Sequence, residues 1–327
     1  MDSRIRNSHR YAVAHGFVSG YSTMEEGRVA DNQLEYQSVL MPTGHAEHRH
    51  VKRRDLRGNP EFGNIRDMFR AAHRYAQGHG FETGFPAFEQ GKDVDNDVVY
   101  GINLLRNSVA RVRSVPASDL GDPDFGDPKE MMIAAHRFAR TQPGMISGFP
   151  LFEQGLNGGV LHYGISLIDS SATFRHILAD ALAIFERFSF DPSITGEQRN
   201  RLCERHCFAI SRITPCGNLS GGQKEELRKA YRKNIKHGSS TDPGVNAYVP
   251  TSGSDARKRI NINFGNLFPL GNDEIAQTLI HEMVHCAGCG SCDHPARRDG
   301  TDMPGDGGAY YGTFIGPVTP SVRAEGT

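Results

Sequence analysis

A stretch of five residues near the C-terminus combines two histidines and a glutamate at a spacing that suits metal chemistry. His281 and His285 are four residues apart, and Glu282 directly follows the first histidine. On an α-helix, side chains four residues apart share one face, so both imidazoles can bind one tetrahedral Zn²⁺ ion. Glu282 is displaced round the helix and can serve as general base toward the attacking water. The motif therefore predicts zinc-dependent hydrolysis.

The residues around this motif have the features of a single helix preceded by a strand. Asn272 or Asp273 can cap the helix, Glu274 adds an acidic residue to its first turn, and Gly288 can end it. Residues 259–264 alternate apolar and polar side chains, which predicts a strand with one buried face. The sequence therefore predicts that a strand and a capped helix position the motif.

With H-E-x-x-H on a capped helix behind a strand, residues 172–327 resemble the zincin metallopeptidases. The resemblance implies a zinc endopeptidase that hydrolyses protein or peptide substrates. It also implies that the strand before the helix is an edge strand, which pairs with extended substrate by β-augmentation. The substrate-binding residues would then be Ile260, Asn261, Ile262 and Asn263.

The third zinc ligand has two leading candidates, His294 and Asp302, and two less favoured ones, Asp306 and Glu325. A metzincin would continue from His285 to a further histidine, but Ser291 stands at that position and His294 follows three residues later. Residues 300–302, Gly-Thr-Asp, resemble the Gly-Thr-x-Asp element of the aspzincins, whose aspartate is the third ligand. His294 is the first choice as third ligand, and Asp302 is the alternative.

Further downstream, Tyr310 and Tyr311 lie in a glycine-rich stretch. A phenol hydroxyl there could stabilise the oxyanion of a tetrahedral intermediate, or either ring could pack in the core. Both tyrosines are therefore candidate catalytic residues.

All six cysteines lie in the second half of the chain. Their even number and clustering favour disulfides, with the pairing left open, and an extracellular or exported protein. The opening residues show no apolar signal segment, so a cytoplasmic location also stays open. A rival interpretation makes Cys286, Cys289, Cys292 and His294 a closed structural zinc site, although a glutamate beside the first histidine of the motif has no role in such a site.

The first half of the chain contains a threefold repeat. Each copy begins with a His-Arg pair, continues with a glycine that directly precedes an aromatic residue, and has a tyrosine 27 residues after the histidine. The histidines of successive copies are 64 and 63 residues apart. Each copy has helical periodicity and then two short strands, a unit too small to bury its faces alone, so neighbours must stack or close into a ring. The markers are His9, Gly20 and Tyr36, then His73, Gly84 and Tyr100, then His136, Gly148 and Tyr163.

These patterns predict an α+β protein with an N-terminal array of three helix-strand-strand repeats. A mainly helical zincin-like domain with a small sheet follows. The predicted domains are residues 1–170, with units at about 9–43, 55–106 and 119–169, and residues 171–327.

The Gly-Phe-Pro elements at residues 84–86 and 148–150 resemble those of the LGFP repeats of actinobacterial cell-wall proteins. That resemblance implies a module that binds a glycan or cell-surface ligand. Two alternatives to the endopeptidase follow: a surface-binding repeat protein with a catalytically silent zincin-like domain, and a zinc amidase acting on cell-wall peptides. Loss of activity in the Glu282→Gln variant would distinguish an enzyme from a binding protein. Cleavage of unfolded protein or of muropeptides would distinguish the endopeptidase from the amidase.

The sequence contains 15 histidines, of which nine lie in the repeat half. His9, His73 and His136 recur at one repeat position and are predicted to pack or cap. The basic run at residues 45–54, which includes His48 and His50, is predicted to be a solvated loop between repeats. The repeat aromatics are predicted to be core residues; they are Phe81, Phe85, Phe88, Phe149 and Phe152.

The overall composition argues against polyanion binding and membrane insertion. The formal net charge is −1, the sequence pI is about 6.9, and the mean hydropathy is −0.50. A balanced charge supplies no field for nucleic acid, and no stretch approaches the roughly 20 apolar residues of a membrane span. Neither nucleic acid nor a transmembrane segment is therefore expected.

Overall fold

A computed structural model of the chain describes residues 2–214, 221–250 and 252–287. The fold is mixed α+β, as predicted, with eight α-helices and thirteen strands in this part of the chain. The contacts divide the chain into two compact units, one of residues 1–28 and 34–177 and the other of residues 29–33 and 178–327. Within the described ranges, no helix is long and apolar enough to cross a membrane.

In the first unit, three amphipathic helices are each followed by a long β-hairpin. Asn64 and Asp127 cap the second and third helices by accepting backbone N–H groups of the first turn. The elements are α1 Asp2–Ala14, β1 Ser19–Val29, β2 Gln33–Met41, β3 Ala46–Lys52, α2 Ile65–Gly78, β4 Thr83–Lys92, β5 Val98–Leu105, β6 Ala110–Pro116, α3 Pro128–Thr141, β7 Met145–Asn157, β8 Val160–Asp169 and β9 Thr173–Leu178.

Each hairpin gains a third strand from outside its own helix-hairpin segment. β3 pairs with β5 and β6 pairs with β8, both antiparallel, while β9, the last strand of the unit, lies beside β2 of the first hairpin. The end of the unit therefore returns to its beginning, and each hairpin is completed into a three-stranded sheet. β3 and β6 fall between the predicted units, and β9 follows the last of them.

Two sequence predictions are wrong at these third strands. The basic run at residues 45–54 is not a solvated loop, because residues 46–52 form β3 and are hydrogen-bonded to β5 throughout. The apolar spacing of Phe174, Ile177, Leu178 and Ala181 likewise predicts a helix that begins at Phe174, but Thr173–Leu178 is a strand and the helix begins at Ala179. Residues 171–177, predicted to open the second domain, belong to the first unit. In both cases strand pairing overrides the local pattern.

The core of the first unit lies between the helices and the sheets. Phe85, Phe88, Phe149 and Phe152 are completely buried, which confirms the prediction that they are core residues. Phe88 and Phe152 have positive φ values of 55° and 54°, at a register shift in β4 and β7. This kink lets the strand bury the phenylalanine while the next residue, a glutamate, leaves the core.

The second unit packs helices against a four-stranded sheet. Its strand order is β10-β11-β13-β12, with β10, β11 and β13 parallel and β12 antiparallel to β13. Thr195 and Gln198 form a capping box at the start of the long helix α5. The elements are α4 Ala179–Arg187, β10 Phe188–Phe190, α5 Gly196–Ile213, α6 Gly221–Tyr231, β11 Ile235–Ser239, β12 Ala247–Tyr248, β13 Arg259–Ile262, α7 Phe264–Leu267 and α8 Asn272–Ala287.

Candidate active site on helix α8

The two histidines of the H-E-x-x-H motif lie side by side on α8. Both side chains are partly buried, and the Nε2 atoms of His281 and His285 are 3.1 Å apart. Two nitrogen ligands of a tetrahedral zinc ion, each about 2.1 Å from the metal, are about 3.4 Å apart. The pair therefore fits the separation that a shared metal ion requires, with a shift of a few tenths of an ångström.

Glu282 lies on a different face of α8 and is buried, with only 4% of its surface exposed. Burial raises the pKa of its carboxyl group to about 8, and a hydrogen bond from the backbone amide of Val249 partly opposes this. Its Oε2 atom has no hydrogen-bond partner among the described residues. Burying a carboxyl group with an unsatisfied oxygen is costly, which is typical of residues kept for chemistry.

Packing fixes α8 against the rest of the second unit. Its apolar side, which includes Leu279, Ile280, Met283 and Val284, is completely buried, and α5 and α6 both contact it. Lys233 donates to the carbonyl of Cys286 in the last turn, at 2.5 Å. A cation at the C-terminus of a helix satisfies a carbonyl that has no partner within the helix.

The predicted substrate strand does not lie at an edge. Ile260, Asn261 and Ile262 belong to β13, which pairs with β11 on one side and with β12 on the other. Asn263 follows β13 and caps α7 through its side chain. The expectation that this strand is an edge strand is therefore wrong, because it has a paired neighbour on each side.

The outermost antiparallel strand of this sheet, within the described ranges, is β12. It contacts α8, and the residue that follows it, Val249, donates its amide to Glu282. The sequence gives little indication of β12, since it is only two residues long and lies in a Gly/Ser/Pro-rich stretch that favours a loop.

The remaining predicted site residues fall outside the described ranges. They are the zinc-ligand candidates His294 and Asp302 and the catalytic candidates Tyr310 and Tyr311. The same holds for Cys216, Cys289 and Cys292, so the disulfide prediction and the rival Cys₃His site stay predictions. The three cysteines that the structure does describe, Cys203, Cys207 and Cys286, are buried and form no disulfide with one another.

Sequence reasoning missed a second histidine pair in the same unit. His206 on α5 and His237 on β11 are completely buried, with their Nε2 atoms 3.1 Å apart. Burial lowers the pKa of both imidazoles, so they are neutral at pH 7 and one ring can donate to the other. Phe190 stacks on His237 and the Phe188 ring contacts it at a tilt, which gives the pair the surroundings of a packed core.

In comparisons with known proteins, no family model, no curated protein and no solved structure matches this chain.

Proposed function

We propose that this protein is a zinc-dependent endopeptidase, with the α8 motif as its catalytic centre. The observation that carries the proposal is the pair of Nε2 atoms of His281 and His285, 3.1 Å apart on one helix, with Glu282 buried beside them. A pair of imidazoles at helical spacing next to a desolvated carboxyl group matches the donor set and the base that zinc hydrolysis needs. His294 or Asp302 would complete the metal site.

Zinc bound at this site would polarise the scissile carbonyl and acidify a water molecule. The chain supplies the other components. A bound dication nearby would lower the pKa of Glu282 again, so that the ionised carboxylate would accept a proton from the attacking water and deliver it to the leaving amine. The Val249 amide holds the Glu282 carboxyl group in place, so the carboxyl group is preorganised before substrate binds. Tyr310 or Tyr311 remains the proposed donor to the oxyanion.

We further propose that an extended substrate pairs with the outer edge of β12 rather than with β13. β12 is antiparallel to its neighbour in the sheet and contacts the helix that carries the histidines. A peptide added to this edge by main-chain hydrogen bonds would run alongside α8, where a scissile bond could meet Glu282.

The test compares the full-length wild-type protein with Glu282→Gln. The substituted side chain keeps an acceptor for the Val249 amide, so we expect this variant to fold and to retain zinc by metal analysis. Hydrolysis of an unfolded protein substrate should fall by at least about 100-fold, because general-base assistance is lost. Glu274→Gln, on the same helix outside the motif, is the matched control and should retain activity. No hydrolysis by the zinc-loaded wild type, or equal hydrolysis by Glu282→Gln, would contradict the proposal.

The same assay distinguishes the second candidate function, a zinc amidase acting on cell-wall peptides. Cleavage of muropeptides without cleavage of unfolded proteins would identify an amidase. Zinc binding with neither activity would favour the repeat half as a binding module for a glycan or cell-surface ligand. Exposed apolar side chains at two hairpin ends of the first unit support a binding surface there; they are Val94, Leu156, Val160 and Leu161.

A further inference from the structure

The first unit contains a cluster of two imidazoles and a carboxylate far along the chain from the α8 motif. His9 on α1, His48 on β3 and Glu89 on β4 place one ligand atom each within 4.8 Å of one another. The His9 and His48 rings are stacked, with their centroids 4.6 Å apart, and His9 is 3% exposed. Nothing in the proposed peptidase mechanism uses these residues.

Hydrogen bonds to Nδ1 orient both imidazoles, which leaves Nε2 of each ring available as the ligand atom. Asn103 Oδ1 accepts from Nδ1 of His48 at 2.8 Å, which leaves the lone pair on Nε2. Nδ1 of His9 is bonded to the Ser19 hydroxyl at 2.8 Å, and its Nε2 lies 4.0 Å from Oε1 of Glu89. An imidazole whose other nitrogen is held by a polar group is the usual arrangement of a metal ligand.

The protonation states also suit a metal site. Burial, with a further contribution from His48, lowers the pKa of His9 to about 4, and burial lowers the pKa of His48. Burial would raise the pKa of Glu89, but the facing histidines and Arg10 lower it below the ordinary value. At neutral pH the cluster therefore offers two neutral imidazoles and an ionised carboxylate, the forms in which these groups bind metals.

The unit contains two equivalent junctions that lack this cluster. At the second junction, His73 is hydrogen-bonded to Thr83 and Arg74 pairs with Glu153 at 2.8 Å. At the third junction, His136 is hydrogen-bonded to Ser147 and Arg137 pairs with Glu25 at 2.5 Å. Each junction thus repeats the histidine, hydroxyl, glutamate and arginine found around His9.

The junctions differ on the third strand. His48 and His50 pair with Asn103 and Gly101, whereas the corresponding residues of β6, Val112 and Ser114, pair with Ser166 and Gly164. At the third junction Phe174 stacks on the histidine. Among these three junctions, only the one at His9 groups a second imidazole with its glutamate, because His176 on β9 at the third junction pairs with Glu35 instead.

The arginine contact changes in parallel. Arg10 lies 3.5 Å from Oε1 of Glu89, farther than the arginine of either other junction lies from its glutamate. Oε2 of Glu89 faces Nε2 of His50 instead, at 3.8 Å. Oε1 of Glu89 is therefore shared between Arg10 and His9 while Oε2 is directed at His50, so each carboxylate oxygen lies beside an imidazole nitrogen.

We propose that His9, His48 and Glu89 bind a divalent transition-metal ion of the zinc class, with His50 or a water molecule as the fourth ligand. Two imidazoles and a carboxylate are a donor set for zinc or its first-row neighbours. Ligands at about 2.1 Å would be about 3.4 Å apart, so the 4.0 Å gap between His9 and Glu89 needs only a small contraction. A pocket of about 400 Å³ next to Glu89, lined in part by Arg6, Phe62 and Gln90, gives solvent access.

Bound metal would link α1 and β4, which belong to successive helix-hairpin segments, through β3. The three ligands come from separate stretches of chain, which only the folded state holds together. Metal should therefore bind the folded state in preference to the unfolded chain and stabilise the first unit.

The test uses the full-length chain with His281→Gln and His285→Gln, so that the α8 imidazoles cannot bind the added metal. This parent is compared with the same chain carrying His48→Val and His50→Ser, the residues found at the second junction. We expect the parent to bind about one more equivalent of Zn²⁺ in equilibrium dialysis. With Co²⁺, the difference spectrum should show visible d–d bands without thiolate absorption. Zn²⁺ should raise the unfolding temperature of the parent only.

Two further variants protect the comparison against misfolding. Asn103→Ser keeps every proposed ligand and substitutes the residue of the second junction, Ser166; it should weaken metal affinity about 10- to 100-fold through loss of imidazole orientation. His162→Ser removes a histidine outside the cluster and should leave binding unchanged. Equal metal binding with and without His48 and His50, or no metal bound by the parent, would overturn the proposal.

Discussion

Arg137 on α3 donates to Glu25 on β1 at 2.5 Å, joining residues that are 112 positions apart in the chain. The same junction contains a hydrogen bond from the Tyr21 hydroxyl to Ser147 at 3.0 Å, and Ser147 also bonds His136. The last helix of the first unit is therefore attached to its first hairpin by an exposed ion pair and by a buried hydrogen-bond network. These two kinds of contact should contribute differently to stability.

Arg137→Ala should change stability little. The Arg137 side chain is 72% exposed, so solvent and salt screen its attraction to Glu25. We expect a loss of about 0.2 to 1 kcal/mol, smaller still at high salt, measured by urea denaturation at two salt concentrations. A loss above about 2 kcal/mol that is independent of salt would mean that the ion pair is not screened.

Tyr21→Phe should cost more, although it removes a single oxygen. Tyr21 is completely buried and its hydroxyl donates to Ser147, so the substitution deletes one buried hydrogen bond without changing the packed ring. We expect a loss of about 1 kcal/mol or somewhat more in the free energy of unfolding. Tyr36→Phe, at a half-buried tyrosine of the neighbouring strand, is the control and should lie within about 0.5 kcal/mol of wild type. Equal effects at both positions would contradict the assigned role.

The glycine that directly precedes the aromatic residue in each repeat, such as Gly84 before Phe85, should not tolerate a larger side chain. A Cβ at Gly84 would lie 2.7 Å from the Asn103 carbonyl oxygen and 3.0 Å from that of Ala72, and backbone atoms cannot move aside easily. Gly84→Ala should destabilise the first unit by about 1 to 3 kcal/mol through overpacking. Gly91→Ala is the matched control in the same strand, because its Cβ would meet only a Val99 methyl at 3.8 Å. Thermal unfolding of both variants tests this; a stable Gly84→Ala protein would refute the close-approach explanation.

Buried neutral histidines should make the protein sensitive to acid. Burial lowers the pKa of His136 and of His237 to about 4, against 6.5 for the unfolded side chain. Between these values the unfolded chain binds protons that the folded chain does not, so stability is full above about pH 6.5 and falls as the pH decreases toward 4. Each histidine can contribute up to about 1.4 kcal/mol per pH unit in this range.

The measurement is urea denaturation of metal-free protein from pH 7.5 to 4.5. His136→Gln should flatten the profile in that range for the first unit, whereas His162→Gln should not. A wild-type profile that stays level between pH 6.5 and 4.5 would show that these imidazoles are not held neutral by burial.

Local sequence patterns determined the helix that carries the α8 motif and the helix-hairpin segments of the first half. A four-residue spacing places His281 and His285 on one face of any helix, and apolar periodicity is enough to predict such a helix. The position of the buried aromatics Phe85 and Phe149 followed from the same patterns.

Only the tertiary structure decided which strands pair and which distant residues meet. The sequence predicts β13 correctly as a strand, but its neighbours β11 and β12 are chosen by long-range hydrogen bonding, so an apparent edge strand lies inside the sheet. Residues 46–52 look like a polar loop because β3 is an edge strand composed mostly of polar residues, although most of their side chains are partly buried. The meeting of His9, His48 and Glu89 depends on three elements docking together, and no local pattern encodes it.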